Sequence, residues 1–378
     1  MAMTLNEDQA MLRDSARDFM KAEAPVAHFR AYRDKNCKDG FSHDLWKQFA
    51  AMGFTGMLIP EAEGGLGMGA IEAGIVLEEV GRNLSPSPFL STSVIAVEAL
   101  KAADKAMRDR WFPAILKGEA VIGIAIDEAS KHRPEKTALR AKRAGNGFTL
   151  SGTKQFVVQG ASADLLIVAA RTAGAPGETD GLTLFAVDRE AAGLSAEATR
   201  LVDSSMAAHL TLDGVEVTAD AVIGDVDGGW ATLTKILDAG RVGAAAEMVG
   251  VGTGAMEITF DYLKTRKQFG QLIGEFQALQ HRAAHLYGEI EGARSIVLKA
   301  QTLLDEGHES AALYVAAAKA KAGIACNLAV REGVQMHGGM GMTDAFDIGL
   351  YMKRERGLNE FFGDTSFHAD RLATLNGY

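Results

Sequence analysis

A permanent cation, an aromatic ring and a primary amide follow one another in the stretch Thr265-Arg266-Lys267-Gln268-Phe269-Gly270-Gln271-Leu272-Ile273-Gly274-Glu275-Phe276-Gln277. These groups together suit a flat, anionic ligand. The Arg266 guanidinium can take a phosphate in fork geometry, Phe269 can stack on or cover a ring, and Gln277 can hydrogen-bond a neutral polar edge. The same residues also read as an ordinary connection between helices, with Arg266 and Lys267 solvated and Phe269 serving as an apolar staple. A second stretch, Gln335-Met336-His337-Gly338-Gly339-Met340-Gly341-Met342-Thr343, follows a long helical pattern. Its closely spaced glycines free the backbone to turn amides toward an anion; the alternative is a plain glycine helix stop. The third candidate is one carboxylate, Glu247, in the otherwise apolar run Ala244-Ala245-Ala246-Glu247-Met248-Val249-Gly250-Val251. Its helical neighbours Gly243, Ala244, Gly250 and Val251 are small or apolar. Partial desolvation there would raise its proton affinity toward the range of a general base. A glutamate pointing out of its bundle, or paired with Arg241 or Lys299, is the competing reading.

Other combinations carry less. His281, His285 and Glu289 recur at four-residue spacing, but without the HExxH arrangement, and no metal is expected. The glycine-rich run Ile59–Gly69 follows no strand and lacks dinucleotide fingerprint spacing, so a phosphate role is not favoured. There is no Gly-x-Ser-x-Gly elbow and no P-loop.

The elements that would position these groups change character twice. Residues 1–120 read as helical: Leu5, Met11, Leu12, Ala16 and Phe19 share one face, and Leu45, Trp46, Phe49 and Met52 repeat the pattern. Residues 121–225 read as an antiparallel β-domain. Its strand-like runs are 121–126, 148–154, 165–170 and 182–187, and Gly145-Asn146-Gly147 is a hairpin signal. Residues 226–378 return to helix. All seven prolines lie at or before Pro176, and the remainder suggests about four long helices. Along one of them Phe276, Leu279, Ala283, Leu286, Ile290, Ala293, Val297, Ala300 and Leu304 keep the spacing of a helix packed on helices.

A chain of 378 residues with 47% hydrophobic content can build a sizeable core. A formal charge of −10 argues against a nucleic-acid surface. Cys37 and Cys326 offer no disulfide framework, which fits a reducing cytoplasm. No signal peptide and no run of membrane-spanning length is expected.

The Arg266–Gln280 run resembles the flavin-binding signature of the acyl-CoA dehydrogenase family, and further segments match that family in the same order along nearly the whole chain. The resemblance implies an α+β fold: an N-terminal all-α domain, a middle antiparallel β-domain and a C-terminal four-helix bundle. It implies FAD, with Arg266, Phe269, Gln277, Gln335, Gly338, Gly339, Phe156 and Thr365 as cofactor residues. Arg266 and Gln277 would reach the flavin of a neighbouring subunit, hence at least a dimer. The implied reaction is α,β-dehydrogenation of an acyl-CoA thioester, as in fatty acid or steroid side-chain catabolism, with electron-transfer flavoprotein as acceptor. A carboxylate removes the α-proton and the β-hydrogen leaves as hydride to the flavin N5.

In many family members a glutamate precedes Gly-Thr near the C-terminus. Aligning Thr365-Ser366 here puts Gly363 at that position, where only its amide is able to serve the thioester carbonyl. Asp364 is adjacent but shorter and displaced by one residue. A subset of the family shares Ala-Ala-Glu on the earlier helix and Phe-Gly-Asp near the end, and there the helix glutamate is the base; this assigns Glu247 and Gly363 as catalytic. Two departures point elsewhere. Ile126-Asp127-Glu128-Ala129-Ser130-Lys131-His132 replaces the usual acidic-proline-glycine loop, and Val158 stands where a Thr or Ser often lies near the flavin N5. Similar departures occur in subunits of mixed assemblies, so a non-catalytic subunit completing a partner's flavin site is the alternative. A flavin oxidase or monooxygenase on the same scaffold is a lesser one.

Overall fold

The computed structural model describes residues 4–378. Helices α1 (Glu7–Glu23), α2 (Val26–Asp34), α3 (His43–Ala51) and α4 (Ala70–Arg82) come first, then a π-helical segment Phe89–Ala96 running into α5 (Val97–Leu100), and α6 (Lys105–Leu116). Strands follow: β1 (Ile122–Ala125), β2 (Arg140–Ala144), β3 (Gly147–Val158), β4 (Leu165–Arg171), β5 (Leu182–Asp188), β6 (Leu194–Arg200), β7 (Met206–Thr218) and β8 (Val222–Ile223). The helices α7 (Gly229–Thr265), α8 (Gln277–Asp305), α9 (Ala311–His337), α10 (Ile348–Glu360) and α11 (Thr365–Leu375) complete the chain, with a small hairpin of β9 (Lys267–Gln268) and β10 (Gln271–Leu272) between α7 and α8. The order helix, strand, helix is the expected one. The C-terminal part holds three long and two short helices rather than about four long ones.

Packing groups these elements into two compact units, and the first helices are shared between them. One unit contains the chain through Tyr32, Gly69–Ser85 and Arg241–Tyr378; the other contains Arg33–Met68 and Pro86–Gly240. The cause is visible in each. In the helical unit the backbones of α4 and α7 press together: a Cβ on Gly250 would lie 1.9 Å from the Glu78 carbonyl oxygen, and one on Gly81 would lie 2.1 Å from that of Glu247. In the sheet unit, Trp46 of α3 donates its indole N–H to Ala120 O at 3.1 Å, and the Ile122 amide donates to Thr92 Oγ1 at 3.0 Å.

The sheet has eight strands in the order β6-β7-β3-β2-β4-β5-β8, with β1 beside β4. It is antiparallel except that β1 runs parallel to β4, as β2 does at its single Arg140–Arg171 pair, which corrects the wholly antiparallel expectation. The Gly145-Asn146 turn joins β2 to β3 as expected, in register Ala144↔Gly147. Phe148, Leu150, Val168, Phe185 and Leu210 form part of its core.

In the helical unit α1 opens on a reciprocal cap: Asn6 Oδ1 accepts from the Gln9 amide at 2.8 Å and Gln9 Oε1 accepts from the Asn6 amide at 3.1 Å. Ala16 and Met20 are its buried residues, whereas Met11, expected on that face, is exposed. Along α8 the buried set Leu286, Ile290, Ala293, Val297 and Ala300 follows the expected spacing. Within Ala311–Met342 an 18-residue window has the mean hydropathy (1.3) of a membrane span, contrary to the sequence expectation, and 61% of that window is buried within the protein. Its mid-helix Lys319, fully buried, hydrogen-bonds neighbouring backbone, which fits the interior of a helical bundle.

Candidate active site

Glu247 lies in the middle of α7 and is 2% exposed. The reading in which it points out of its bundle does not describe it. It points inward and pairs with Arg354 of α10, whose Nε donates to Glu247 Oε1 at 2.8 Å while Nη2 donates to the same oxygen. The glycines that follow on α7 are filled by neighbouring helices: Gly250 by α4, Gly252 by Ile290 and Cys326, Gly254 by Tyr351 and the Arg82 carbonyl. They serve helix packing rather than leaving room for a bulky ligand.

The α10 helix that brings Arg354 to Glu247 runs directly into the Phe361–Asp364 turn. Phe362 (φ +53°) and Gly363 (φ +104°) are both left-handed there. A Cβ on Gly363 would meet the Phe367 ring at 2.3 Å, so the position accepts glycine and not a glutamate. The turn is held from three sides. Lys319 Nζ donates to the carbonyls of Leu358 (3.1 Å), Asn359 (3.1 Å) and Gly363 (3.0 Å). Arg241 Nε (3.4 Å) and His368 Nε2 (3.0 Å) donate to Phe362 O. Burial first, then the nearby Arg241 charge, pulls the Lys319 ammonium down to about 7; burial and the Lys319 charge push His368 down to about 2, so its imidazole is neutral. The Gly363 amide, expected to serve a thioester carbonyl, donates here to Glu360 O at 3.2 Å. Asp364 is the N-cap of α11 and accepts from the Phe367 amide at 2.8 Å, which gives it a structural task. Thr365 is engaged too, its hydroxyl donating to Asn359 Oδ1 at 3.1 Å.

The two ligand-like stretches meet at one end of the helical unit. Leu263 near the end of α7, Ile273 after the hairpin and Met336 near the end of α9 share a small apolar cluster, and Tyr262 stacks on His337 at 4.3 Å. His337 is therefore a buried packing group, and its Nδ1 lies 2.7 Å from Gly333 O. In the hairpin, Phe269 and Gly270 both have positive φ (+53° and +84°), a primed two-residue turn. An aromatic at such a position is strained; the residue is 92% exposed, with its ring edge-on to Phe276 at 6.2 Å. Arg266, Gln277 and Gln335 are exposed, and among the described residues no carboxylate pairs with Arg266. Gly338 needs glycine for its backbone (φ +62°, ψ −143°). Gly339 does not: its φ is not left-handed, and a Cβ there would meet nothing within 4 Å. An unpaired guanidinium, open glycine backbone, exposed amides and a projecting ring fit the phosphate and ring of a flavin dinucleotide.

Phe156 belongs to the sheet unit. An irregularity in β3 between Lys154 and Val157 turns it outward at φ +55°, 53% exposed. The divergent loop before it is well fixed: Glu128 accepts from the amides of Ala138 (2.8 Å) and Leu139 (3.0 Å) and from buried Lys154 Nζ (2.7 Å), and Asp127 pairs with His132 at 2.8 Å. The Ile59–Gly69 run leads to an α4 N-terminus whose amides are already satisfied, those of Ala70 and Ile71 by Asp305 and that of Gly69 by Glu72. No anion site remains there. Glu289 pairs with Lys321 at 2.6 Å. Sequence reasoning missed Arg354, Lys319 and His368. A lysine in the apolar, alanine-rich first half of α9 was a signal for Lys319, whereas Arg354 sits among charged neighbours and offered none.

Three profiles match the chain: the acyl-CoA dehydrogenase N-terminal domain at residues 6–119, the middle domain at 127–215 and the C-terminal domain at 227–374. The acyl-CoA dehydrogenase FadE12 of Mycobacterium tuberculosis is 32% identical over 335 residues, covering 86% of this chain and 85% of that protein. Among solved structures, a variant of the Tcur3481-Tcur3483 steroid ACAD superposes with a TM-score of 0.88 at 31% identity, over 99% of this chain and 98% of its own. The ChsE4-ChsE5 complex from Mycobacterium tuberculosis shares the fold, with a TM-score of 0.89 at 24% identity over all of both chains.

Proposed function

The chain belongs to the acyl-CoA dehydrogenase family, and on that premise we propose that it oxidises an acyl-CoA thioester to the trans-2-enoyl-CoA, with Glu247 as the α-proton base. The observation that carries this reading is the pairing of two facts. Position 363 is restricted to glycine by its backbone and by Phe367, and the inward-facing carboxylate on α7 is buried and fixed. FAD, when bound, supplies the two-electron acceptor that takes the β-hydrogen with its electron pair. The chain's residues do the rest. Arg266, Gln277, Gln335 and the Gly338-Gly339 backbone bind and orient the cofactor. Phe269 and Thr365 complete its surroundings within the helical unit. Glu247 accepts the α-proton, and a shift of the Gly363 amide from Glu360 O to the thioester carbonyl stabilises the developing enolate.

A second reading is supported by Val158 and the replaced loop: this chain is a subunit that completes the flavin site of a related dehydrogenase, in the manner of a two-chain complex such as ChsE4-ChsE5. In either form the assembly is at least dimeric, with electron-transfer flavoprotein as the acceptor. The free thiols Cys37 and Cys326 support a cytoplasmic setting. The test is the visible absorbance of the chain purified alone, followed by anaerobic titration with short linear, branched and steroid-bearing acyl-CoA thioesters. A yellow protein bleached by one class supports the self-sufficient dehydrogenase and identifies its substrate class. A colourless protein that acquires flavin only on co-expression with a second subunit supports the alternative.

A further inference from the structure

We propose that Arg354 is a positioning residue for this reaction: its guanidinium fixes the Glu247 carboxylate in the buried middle of α7 and holds it in the charged form that accepts a proton. The inference rests on the reading of Glu247 as base. Its geometric ground is independent of that reading. The Glu247 side chain is 3% exposed and the Arg354 side chain 28%, so the cation stands on the solvent side of a carboxylate that is otherwise cut off from water. Two donors of one planar group converge on Oε1, an arrangement that sets direction as well as charge. The backbone is set from the other side, because α4 abuts the Glu247 carbonyl at Gly81. A carboxylate clamped at its main chain by α4 and at its tip by α10 has little freedom left.

Several surrounding charges have partners of their own. On α4, Glu78 pairs with Arg294, and Glu79 with Arg17 and Arg82. Arg82 also holds Glu257 of α7. On α9, burial and the charges of Glu355 and Glu247 push the Cys326 thiol well up, so it is neutral, and Lys319 serves the Gly363 turn. On α10, Tyr351 donates to Arg82 O, and Glu355, raised by burial, accepts from Asn327. On α7 itself, Arg241 donates to Phe362 O. Arg354 answers the charge on Glu247 from α10.

Two measurements on the FAD-loaded protein test the inference. The first compares thermal midpoints of the wild type, Arg354→Gln, Glu247→Gln and the double variant. Removing the cation alone strands a buried charge, so Arg354→Gln falls by several degrees and the double variant is more stable than Arg354→Gln. The second is the pH profile of kcat/KM with the most reactive thioester of the panel. Loss of the neighbouring cation moves the acid limb of Arg354→Gln upward by about one pH unit or more, and Arg354→Lys returns it toward the wild type. Additive midpoint losses, or an acid limb that stays in place, overturn the inference. Full activity of Glu247→Gln overturns instead the assignment of the base, and Arg354 is then part of a structural ion pair only.

Discussion

At φ +104° and with the Phe367 ring 2.3 Å from where its Cβ would stand, Gly363 leaves no place for the glutamate that many relatives carry there. Adding one does not relocate the base. In a Glu247→Gln background, Gly363→Glu is expected to restore no activity and to cost about 1–3 kcal/mol of stability, measured by urea unfolding. Lys319 gives a residue-scale prediction about pH. Its ammonium is drawn down to about 7 in the folded chain, while an unfolded lysine keeps its proton to about pH 10. Below pH 7 both states are protonated and the burial cost is present in full. Between about 7 and 10 the unfolded state binds more protons, so this group makes stability rise with pH across that window. Lys319→Met should abolish that rise and lower stability throughout, because three carbonyls lose their donor. Unfolding midpoints at pH 7 and pH 9 decide it.

The elements were legible where periodicity was strong. The buried residues of α8 follow the spacing read from the sequence, and a hairpin turn forms at Gly145-Asn146 where the sequence signalled one. Strands β2 and β6 were not foreseen, since Arg140–Ala144 and Leu194–Arg200 lack the apolar alternation of a half-buried strand. Partners distant in sequence were beyond reach. Nothing near Glu247 announces Arg354, and nothing near Asp364 distinguishes a cap from a base until α11 is seen to start there. The Gly338-Gly339 turn supplies the prediction at this scale. Packing within the chain does not require glycine at 339. Gly339→Val should therefore keep the thermal midpoint of the flavin-free chain while lowering the flavin retained on purification, read as the ratio of absorbance at 450 nm to that at 280 nm, about the flavin and protein maxima. Retention equal to wild type would separate this turn from the cofactor.

Across the whole molecule the resemblance anticipated the family and the order of its three parts. It did not anticipate that α1, α2 and α4 pack with the C-terminal helices while α3 and α6 pack with the sheet. Backbone contact through Gly81 and Gly250 decides that grouping, and a glycine's partner cannot be read from the glycine. At this scale the exposed hairpin matters most. A strained, outward-facing Phe269 beside an Arg266 without a carboxylate partner suits contact with a flavin held by a neighbouring subunit. Arg266→Ala should leave the fold unchanged by circular dichroism and weaken flavin binding by roughly tenfold or more, the loss of one charge-assisted phosphate contact; unchanged affinity would remove the residue from the site.

The most direct test of the central claim is anaerobic flavin reduction by Glu247→Gln with the acyl-CoA that bleaches the wild type. The substitution keeps size and shape and removes the proton acceptor. The account predicts a yellow, folded protein that still binds the thioester but reduces its flavin about 10²–10⁴-fold more slowly. Bleaching at the wild-type rate would contradict it and place the base elsewhere.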